Sequence, residues 1–456
     1  MLLTLFYFTV VFLIINFLIV DKDYFHPTII FISTFLIAEL LCLSNQKTFD
    51  IEFSFFTFIV FYLVFLTFTI VNILGKYTIR NRSTSVNSVR YINIDKLILI
   101  TFLIIEIVFT LFFFVYEKRI YSAYVGGSGS FSEIINNYDR LTKFFVDDFI
   151  DLQVPRPLLY KLLAPFINPL SYVIIYILVN NYVVTKKINI YMLLSTLLFM
   201  FQKLMTGSRG PLFKIITFMV VVFYILKLRQ SGMKKLDSKF FSKIVLGVIL
   251  LAPLFVLFLN ATGRRGGIGD DPFLYTINKE VFKYIGAPLL NLNNYIMSHS
   301  NFGQQATLFG EQTFRGFYQY LYSLFEIKKF DYDSIVSVHS YVFSRNGIQT
   351  GNVFTAFYMF VYDFGIYGIV PLSLILSGYF NISYLKLKYK KRNSELYKFD
   401  FRLYIFAYLF NDLIMEFFSN RFFETVVNES FIPFVIISLL IFIILNKNYV
   451  FRIKDD

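Results

Sequence analysis

Long apolar runs separated by short polar segments alternate along the chain and predict membrane-spanning helices. A helix needs about 20 apolar residues to cross the hydrocarbon of a bilayer. Such runs predict 11 spans, within a range of 10 to 12, because the stretch 354–384 is too long for one straight helix. That stretch is expected to be a long tilted helix or a short re-entrant piece followed by a span. The predicted spans are 2–20, 27–44, 54–75, 97–115, 162–184, 188–205, 211–228, 244–260, 354–384, 400–418 and 431–447.

The composition also indicates a membrane protein. Hydrophobic residues make up 57% of the 456 positions and charged residues only 16%, whereas soluble domains usually have about a quarter charged residues. These proportions exclude a soluble enzyme and a disordered chain. Cys42 is the single cysteine, which excludes an intramolecular disulfide and a thiolate metal cluster. We expect one all-α polytopic membrane domain over residues 1–456, without a metal site.

The distribution of the net charge of +13 orients the chain in its membrane. Lysine and arginine collect in the cytoplasmic loops of membrane proteins, so the basic excess does not require a nucleic-acid partner. With 11 spans, the most basic connections fall on one side, which is expected to be cytoplasmic. The C-terminus then lies inside and the N-terminus outside. The basic segments are 76–96, 186–187, 227–243, 386–402 and the tail from 447 to 454.

Two long segments, 116–161 and 261–351, are then predicted to form outer-face loops. The first mixes acidic and basic residues, among them Glu117 and Asp139, and its glycine-serine stretch 126–130 is expected to be flexible. The second is the largest polar region of the chain. Long structured loops on one face are where a membrane enzyme would keep its site.

The first candidate site is Thr206-Gly207-Ser208-Arg209-Gly210-Pro211, at the outer end of a predicted span. Pro211 suits the first turn of a helix, and Ser208 or Gly210 suits the position before it. Such a helix start would present N–H groups and a positive dipole beside Arg209, an arrangement that suits phosphate. The alternative is an arginine that merely extends to the membrane interface, although a basic residue on the outer face opposes the positive-inside trend.

Further basic residues on the predicted outer face are candidates for binding an anion. Arg264-Arg265-Gly266-Gly267-Ile268-Gly269 combines two charges with glycines that let backbone amides approach a ligand. The alternative there is a flexible, solvated start of a loop. Arg315 and Arg345 lie in or at the end of the large outer segment and are candidates of the same kind.

A polar stripe is predicted in the stretch that begins at Gly351. On an ideal helix Asn352, Thr355, Met359 and Asp363 fall within about 80° of one another. An ionisable group inside a span costs about 2.5–3.5 kcal/mol on insertion scales and marks an interior site or pathway by default. Asp363 is therefore either a catalytic group or a structural partner of an arginine.

Other ionisable residues add weaker candidates. Asp412 and Glu416 share a helix face at i, i+4, close to Arg421, and are expected to form a carboxylate–arginine cluster. Glu311 and His339 lie in the large outer segment, where a histidine beside a reacting hydroxyl could serve as a general base. A lone loop histidine is more often a plain surface residue. The sequence lacks the motifs of nucleotide-driven pumps, zinc proteases and serine hydrolases.

Two of these segments resemble a known family. They are Thr206-Gly207-Ser208-Arg209-Gly210, and Gly351-Asn352-Val353-Phe354-Thr355 followed by Asp363-Phe364-Gly365 and Gly368. They resemble bacterial O-antigen and capsular repeat-unit polymerases of the Wzy type. About a dozen spans and a large outer loop in the second half of the chain are similar as well. Phe354 stands where that family commonly has tyrosine.

The resemblance implies a glycosyltransferase of the bacterial cytoplasmic membrane with its site on the outer face. Its substrate would be an undecaprenyl-diphosphate-linked oligosaccharide, and lipid diphosphate would be the leaving group. Arginines could take the place of a divalent cation, so no cofactor is expected. Membrane lipids and a chain-length regulator are the other expected partners. The expected ligands of diphosphate or sugar are Arg209, Arg345, Arg315, Arg265, Arg264, Ser208, Asn352 and Thr355, and the catalytic candidates are Asp363, Glu311 and His339.

Three alternatives stay open. An O-antigen ligase would use the same donor and would also have outer arginines and a large loop. A lipid-linked oligosaccharide flippase would be expected to have short loops and an internal repeat, which the sequence does not display. A membrane protein without catalytic function is the third, and the outer arginines argue against it.

Overall fold

The computed structural model describes residues 1–79, 89–231, 273–299, 305–325, 341–389 and 399–451. Within these ranges the chain is mainly helical, with an antiparallel pair of short strands, Val342–Phe343 (β1) and Gln349–Gly351 (β2). The helices are Leu2–Ile19 (α1), Pro27–Ser44 (α2), Phe55–Ile79 (α3), Lys96–Val125 (α4), Phe131–Phe144 (α5), Val146–Asp151 (α6), Leu158–Thr185 (α7), Ile190–Met205 (α8), Gly210–Gln230 (α9), Phe273–Ile285 (α10), Ala287–Ser298 (α11), Arg315–Phe325 (α12), Ala356–Phe364 (α13), Ile369–Tyr389 (α14), Phe401–Ile414 (α15), Arg421–Val426 (α16) and Phe431–Phe451 (α17).

Seven helical segments of the described chain have the length and apolar composition to cross a membrane. They are Leu2–Ile19, Pro27–Ser44, Phe55–Ile79, Lys96–Val125, Leu158–Thr185, Gly210–Gln230 and Ala356–Lys388. The shorter apolar helices Ile190–Met205 and Phe431–Ile444 coincide with two further predicted spans. The predicted class, an all-α membrane protein, is thereby confirmed. The count of 11 remains a prediction, and the predicted span 244–260 lies outside the described residues.

The chain divides into two compact units, and the single membrane domain expected from the sequence stays a prediction. The first unit consists of Met1–Ser85, Ile268–Lys391 and Leu409–Ile432. The second consists of Val86–Gly267, Arg392–Tyr408 and Pro433–Asp456. Each unit therefore joins segments that are far apart in sequence, and each carries some of the candidate residues.

Phenylalanine rings form much of the interior of the first unit. Phe31 of α2 stacks on Phe68 of α3 with ring centroids 4.0 Å apart, and Phe35 stacks on Phe357 of α13 at 5.3 Å. All four side chains are fully buried. These contacts hold α13, which carries Asp363, against α2 and α3.

A buried polar cluster joins α14 to the short segment that connects α1 and α2. Asp23 pairs with Lys388 and accepts a hydrogen bond from the Tyr384 hydroxyl at 2.7 Å. His26 caps α2, because its Nδ1 accepts the Thr28 N–H at 3.4 Å. Burial lowers the pKa of His26 to about 3, so the ring is neutral and Nδ1 is free of a proton when it acts as the acceptor.

The predicted first outer loop, 116–161, is largely helical. Helix α4 continues to Val125, and α5 and α6 follow. Gly126 ends α4 with a left-handed φ of 84°, and Ser130 starts α5 in a capping box with Glu133. Helix caps thus define both ends of the glycine-serine stretch, and its flexibility stays a prediction.

The long predicted span 354–384 is interrupted at Gly365. Gly365 has φ 61° and ψ −157°, a conformation that is essentially restricted to glycine. A Cβ added to Gly368 would lie 2.6 Å from the Cβ of Phe364. The 9-residue helix α13 and the 21-residue helix α14 therefore flank a 3-10 turn within one membrane-length helical segment. The choice between a long tilted helix and a re-entrant piece followed by a span stays open.

Replacing Gly365 with alanine should lower the stability of the protein, because the backbone conformation costs on the order of 1–3 kcal/mol for a residue with a Cβ. Gly378, inside α14, is a matched control, since a Cβ added there meets no atom within 4 Å. Alanine at 378 should be neutral or stabilising by up to about 1 kcal/mol. Thermal unfolding of both variants in detergent compares them. A wild-type midpoint for Gly365→Ala would show that the helix break does not depend on glycine.

Candidate functional site

A buried carboxylate holds the turn that precedes α12. Asp363 is fully buried in α13, and its two oxygens accept different peptide N–H groups. Oδ1 accepts the N–H of Gln312 at 3.1 Å, and Oδ2 accepts that of Thr313 at 2.6 Å. This geometry supports the structural alternative for Asp363, with the peptide backbone as its partner in place of the expected arginine.

Glu311 stabilises the same turn from within. Its Oε2 accepts the N–H and the hydroxyl of Thr307 and the N–H of Leu308, each at 3.0 Å. The Glu311 side chain is buried. These bonds give Glu311, predicted as a catalytic candidate, a clear role in fixing the segment from Thr307 to the start of α12.

Two arginines of the first unit lie around one carboxylate. Arg421, the first residue of α16, pairs with Glu424 at 3.2 Å. Arg315, the first residue of α12, interacts electrostatically with Glu424 as well. The sequence indicated Arg315 as an anion ligand and Arg421 as a partner of other carboxylates. It gave no indication of Glu424. The structure therefore places two guanidinium groups near the turn that Asp363 and Glu311 hold in place.

The predicted partners of Arg421 lie at the end of α15 and in the turn that follows it. Helix α15 ends at Ile414, and a 3-10 turn, Met415–Phe417, follows it. Within it, Glu416 is fully buried, and its Oε1 accepts the N–H of Phe422 at 2.8 Å. Asp412 and Arg421 both interact electrostatically with Glu416, so the expected carboxylate–arginine cluster is present, and its ion pair joins Arg421 to Glu424.

The polar stripe predicted on one helix is not formed as expected. Helix α13 begins at Ala356, so Thr355 is its N-cap and Asn352 precedes the helix. Of the four predicted residues, Met359 and Asp363 lie on the helix. The ideal-helix projection failed because the chain leaves strand β2 at Gly351, where φ is 104°, and becomes helical only five residues later.

Asn291 of α11, a buried residue that the sequence did not single out, holds this approach to α13. Its Nδ2 donates to the Val353 carbonyl at 2.8 Å, and its Oδ1 accepts the Thr350 hydroxyl at 2.7 Å. The segment from Gly351 to Thr355 is therefore anchored through the backbone carbonyl of Val353. Its local sequence carries no sign of a partner that is 62 residues away.

Arg345 lies in the turn between β1 and β2 and pairs with Glu52. The two side chains are 38% and 66% exposed. An exposed ion pair of this kind contributes little to stability, about 0–1 kcal/mol. Arg345 remains a candidate ligand that would have to exchange this partner for a substrate.

In the second unit, Arg209 stands at the start of a membrane-length helix. Helix α9 begins at Gly210 with Arg209 as its N-cap and Pro211 in its first turn. The predicted helix start is correct, but the N-cap is Arg209, one residue from either expected position. A positive charge is unfavourable at the positive end of a helix dipole, so this position concentrates positive potential.

The turn that carries Arg209 is packed against α5. Gly207 has a φ of 69°, and a Cβ added to it would lie 2.5 Å from the Cβ of Asp139. The N–H of Ser208 bonds to the Thr206 hydroxyl at 3.4 Å. Glycine at 207 is thus required both by its backbone conformation and by the close approach of Asp139.

Glu117 of α4 carries a buried carboxyl in the second unit. From the sequence it was expected among the charged residues of the first outer loop. It lies among Tyr138 of α5, Tyr160 of α7 and Tyr116 of its own helix. Burial first, and then the neighbouring Tyr160 and Glu117, raise the pKa of Tyr138, so its hydroxyl keeps its proton. Spacing would have revealed this position, since residues 106, 110, 113 and 117 share one helix face.

Three predicted residues, Arg264, Arg265 and His339, lie outside the described residues. In the part of the chain that the structure describes, no group of three or more histidine, cysteine, aspartate or glutamate side chains could hold a metal ion. The remaining candidates separate by unit. Arg315, Arg345, Glu311, Asp363, Asn352 and Thr355 belong to the first unit, and Arg209 and Ser208 to the second.

Each unit therefore presents at least one arginine at the start of a helix of 11 residues or more. Arginine forks bind phosphate oxygens through paired hydrogen bonds, and a helix start adds to their positive potential. Such positions suit an anionic ligand. No protein-family model, curated protein or solved structure matches this chain.

Proposed function

We propose that this membrane protein is a glycosyltransferase that polymerises lipid-diphosphate-linked oligosaccharide units, as O-antigen and capsular polymerases of the Wzy type do. The observation that carries the proposal is the position of Arg209, the N-cap of a membrane-length helix within the Thr206–Pro211 segment. This segment is one of the two that resemble those polymerases. The proposal places the protein in the bacterial cytoplasmic membrane, with its site on the outer face and its C-terminus inside.

The chemistry of the transfer explains the need for arginine. A hydroxyl of the acceptor sugar attacks the anomeric carbon of the donor, and the bond from that carbon to the diphosphate oxygen breaks. The bonding electron pair leaves with the undecaprenyl diphosphate, where negative charge grows. Positioned donors aimed at the developing charge stabilise such a transition state. Arg209 at its helix start is suited to that task, and no nucleotide is needed because the donor is already activated.

Arg315 and Arg421 form a second arginine group, in the first unit. They lie near a turn that Asp363 and Glu311 hold in place, so their positions are well supported. In the proposed function this group binds a phosphate or sugar hydroxyls of a lipid-linked substrate. Parallel alanine variants at 209 and 315 would show which unit binds the diphosphate, because loss of a diphosphate ligand should weaken the transfer step most.

Deletion of the gene tests the proposal through the size distribution of surface polysaccharide. A polymerase predicts loss of the long-chain ladder, with single repeat units still attached to the surface acceptor. Loss of both forms, with lipid-linked material accumulating outside, would indicate the ligase. Accumulation on the inner face would indicate the flippase, and an unchanged ladder would contradict any function in polysaccharide assembly.

A further inference from the structure

Glu117 is fully buried, yet neither of its carboxyl oxygens has a hydrogen-bond partner. It lies on the face of α4 that packs against α5, between Phe113 and Ile120 of two adjoining apolar clusters. A buried polar group without a partner destabilises the folded state, and more so when it is charged. The carboxyl of Glu117 therefore weakens the fold at this position.

Glu106, on the same face of α4, shows the contrast. It is also fully buried, but its Oε1 accepts the hydroxyl of Ser171 at 2.6 Å. Gln202 donates to its backbone carbonyl at 3.3 Å and joins it to Thr110. Glu106 thus accepts a hydrogen bond from another helix, whereas the oxygens of Glu117 accept none within the described residues.

Aromatic rings surround Glu117. The ring of Tyr160 stacks on Phe113 at 5.5 Å and on Tyr116 at 5.6 Å between centroids. Tyr138 and Tyr160 are half-buried, and Arg156 forms a hydrogen bond with Tyr116. The rings stack on one another and leave the Glu117 carboxyl as a polar group among them. Aromatic rings pack well on the apolar faces of a sugar, and a carboxylate accepts hydrogen bonds from its hydroxyls.

Helix α5 connects these tyrosines with the turn of Arg209. Tyr138 neighbours Glu117, and the next residue, Asp139, is the one that Gly207 approaches. Arg209 follows Gly207 by two positions in the chain. Glu117 and Arg209 therefore belong to the same unit, and neighbouring residues of α5 contact Glu117 and the turn of Arg209.

We propose that Glu117 binds the attacking hydroxyl of the acceptor sugar and takes its proton during transfer, an inference that rests on the proposed function. The step requires Glu117 in its ionised form, whose oxygens would gain from the hydroxyls of the bound sugar the hydrogen bonds that they lack in the free protein. As the new bond to the anomeric carbon forms, the acceptor O–H bond breaks and its proton passes to this carboxylate. The electron pair of the broken glycosyl–diphosphate bond stays on the diphosphate. This assignment gives Glu117 the role that the sequence offered to Asp363 and Glu311, whose oxygens hold a turn.

Leucine variants test whether Glu117 is retained for function. Glu117→Leu removes an unpartnered carboxyl and should unfold in detergent at or above the wild-type temperature. Glu106→Leu is the matched control and should unfold at a lower temperature, because it leaves the Ser171 hydroxyl without its acceptor. A similar loss of stability in both variants would overturn the proposal, since Glu117 would then serve the fold.

Glu117→Gln tests the proton transfer in cells. Loss of a general base lowers the rate by about 10²–10⁴-fold, so the variant should lose the long-chain ladder while the protein accumulates normally. A full ladder from Glu117→Gln, when gene deletion and Arg209→Ala abolish it, would overturn the role of Glu117 alone. An unchanged ladder after gene deletion would contradict the proposed function and this inference together.

Discussion

Replacing Arg209 with alanine is expected to abolish the long-chain polysaccharide while the protein still accumulates in the membrane. Arg209 is a half-buried N-cap, and the start of α9 keeps its proline and glycine in the variant. Removing one donor to a developing oxyanion costs about 10²–10³ in rate. The size distribution of surface polysaccharide measures the loss, and immunodetection of the membrane fraction measures the protein.

Arg140→Ala is the matched control for this prediction. Arg140 lies exposed on α5, next to Asp139, and stacks over the Phe145 ring at 5.4 Å. Its removal changes the net charge equally in the same unit and should leave the ladder intact. Arg209→Lys should fall between wild type and alanine, because a point charge does not replace a planar fork of donors. A normal ladder from Arg209→Ala would remove Arg209 from the site.

Asp363→Asn is expected to destabilise the protein by about 1–3 kcal/mol, through the turn before α12. Each oxygen of Asp363 accepts a different peptide N–H. An asparagine must therefore turn its own NH₂ toward one of those two donors, so that one buried peptide N–H loses its acceptor. Thermal unfolding in detergent measures the loss, and hydrogen exchange at Gln312 and Thr313 should become faster.

Glu311→Gln provides the comparison. All the hydrogen bonds from Thr307 and Leu308 go to one oxygen of Glu311. Glutamine keeps one such oxygen, so this variant should lose much less stability than Asp363→Asn. If Asp363→Asn unfolded like wild type but made no long polymer, Asp363 would act in the chemistry and the structural role argued above would be wrong.

The local sequence was sufficient to predict the apolar helices. The predicted spans 2–20 and 27–44 agree with Leu2–Ile19 and Pro27–Ser44, because an apolar run is visible without knowledge of its partners. The start of α9 was also predicted, since Pro211 is a local signal. Such features depend on neighbours in the chain, which is why they could be inferred.

Features that depend on distant partners could not be predicted. The bond between Thr313 and Asp363 joins positions 50 residues apart, and neither segment contains a local pattern that identifies the other as its partner. The expected cluster of Asp412, Glu416 and Arg421 is present as an electrostatic group, but its prediction assumed a continuous α-helix. The chain instead enters a 3-10 turn at Met415, and the ion pair of Arg421 with Glu424 was not predicted.

Glu311 and Asp363, the two carboxylates that accept hydrogen bonds from the turn before α12, become available at different times during synthesis. Glu311 is made with the turn, whereas Asp363 follows Thr313 by 50 residues. At a synthesis rate of about 5–20 residues per second, roughly 3–10 s pass before Asp363 has been added to the chain. The Asn420 side chain, which donates to the Thr313 carbonyl at 3.4 Å, follows 107 residues after it. The growing chain therefore carries this turn incompletely bonded until later helices have been made, and a chain that ends before residue 363 cannot complete it.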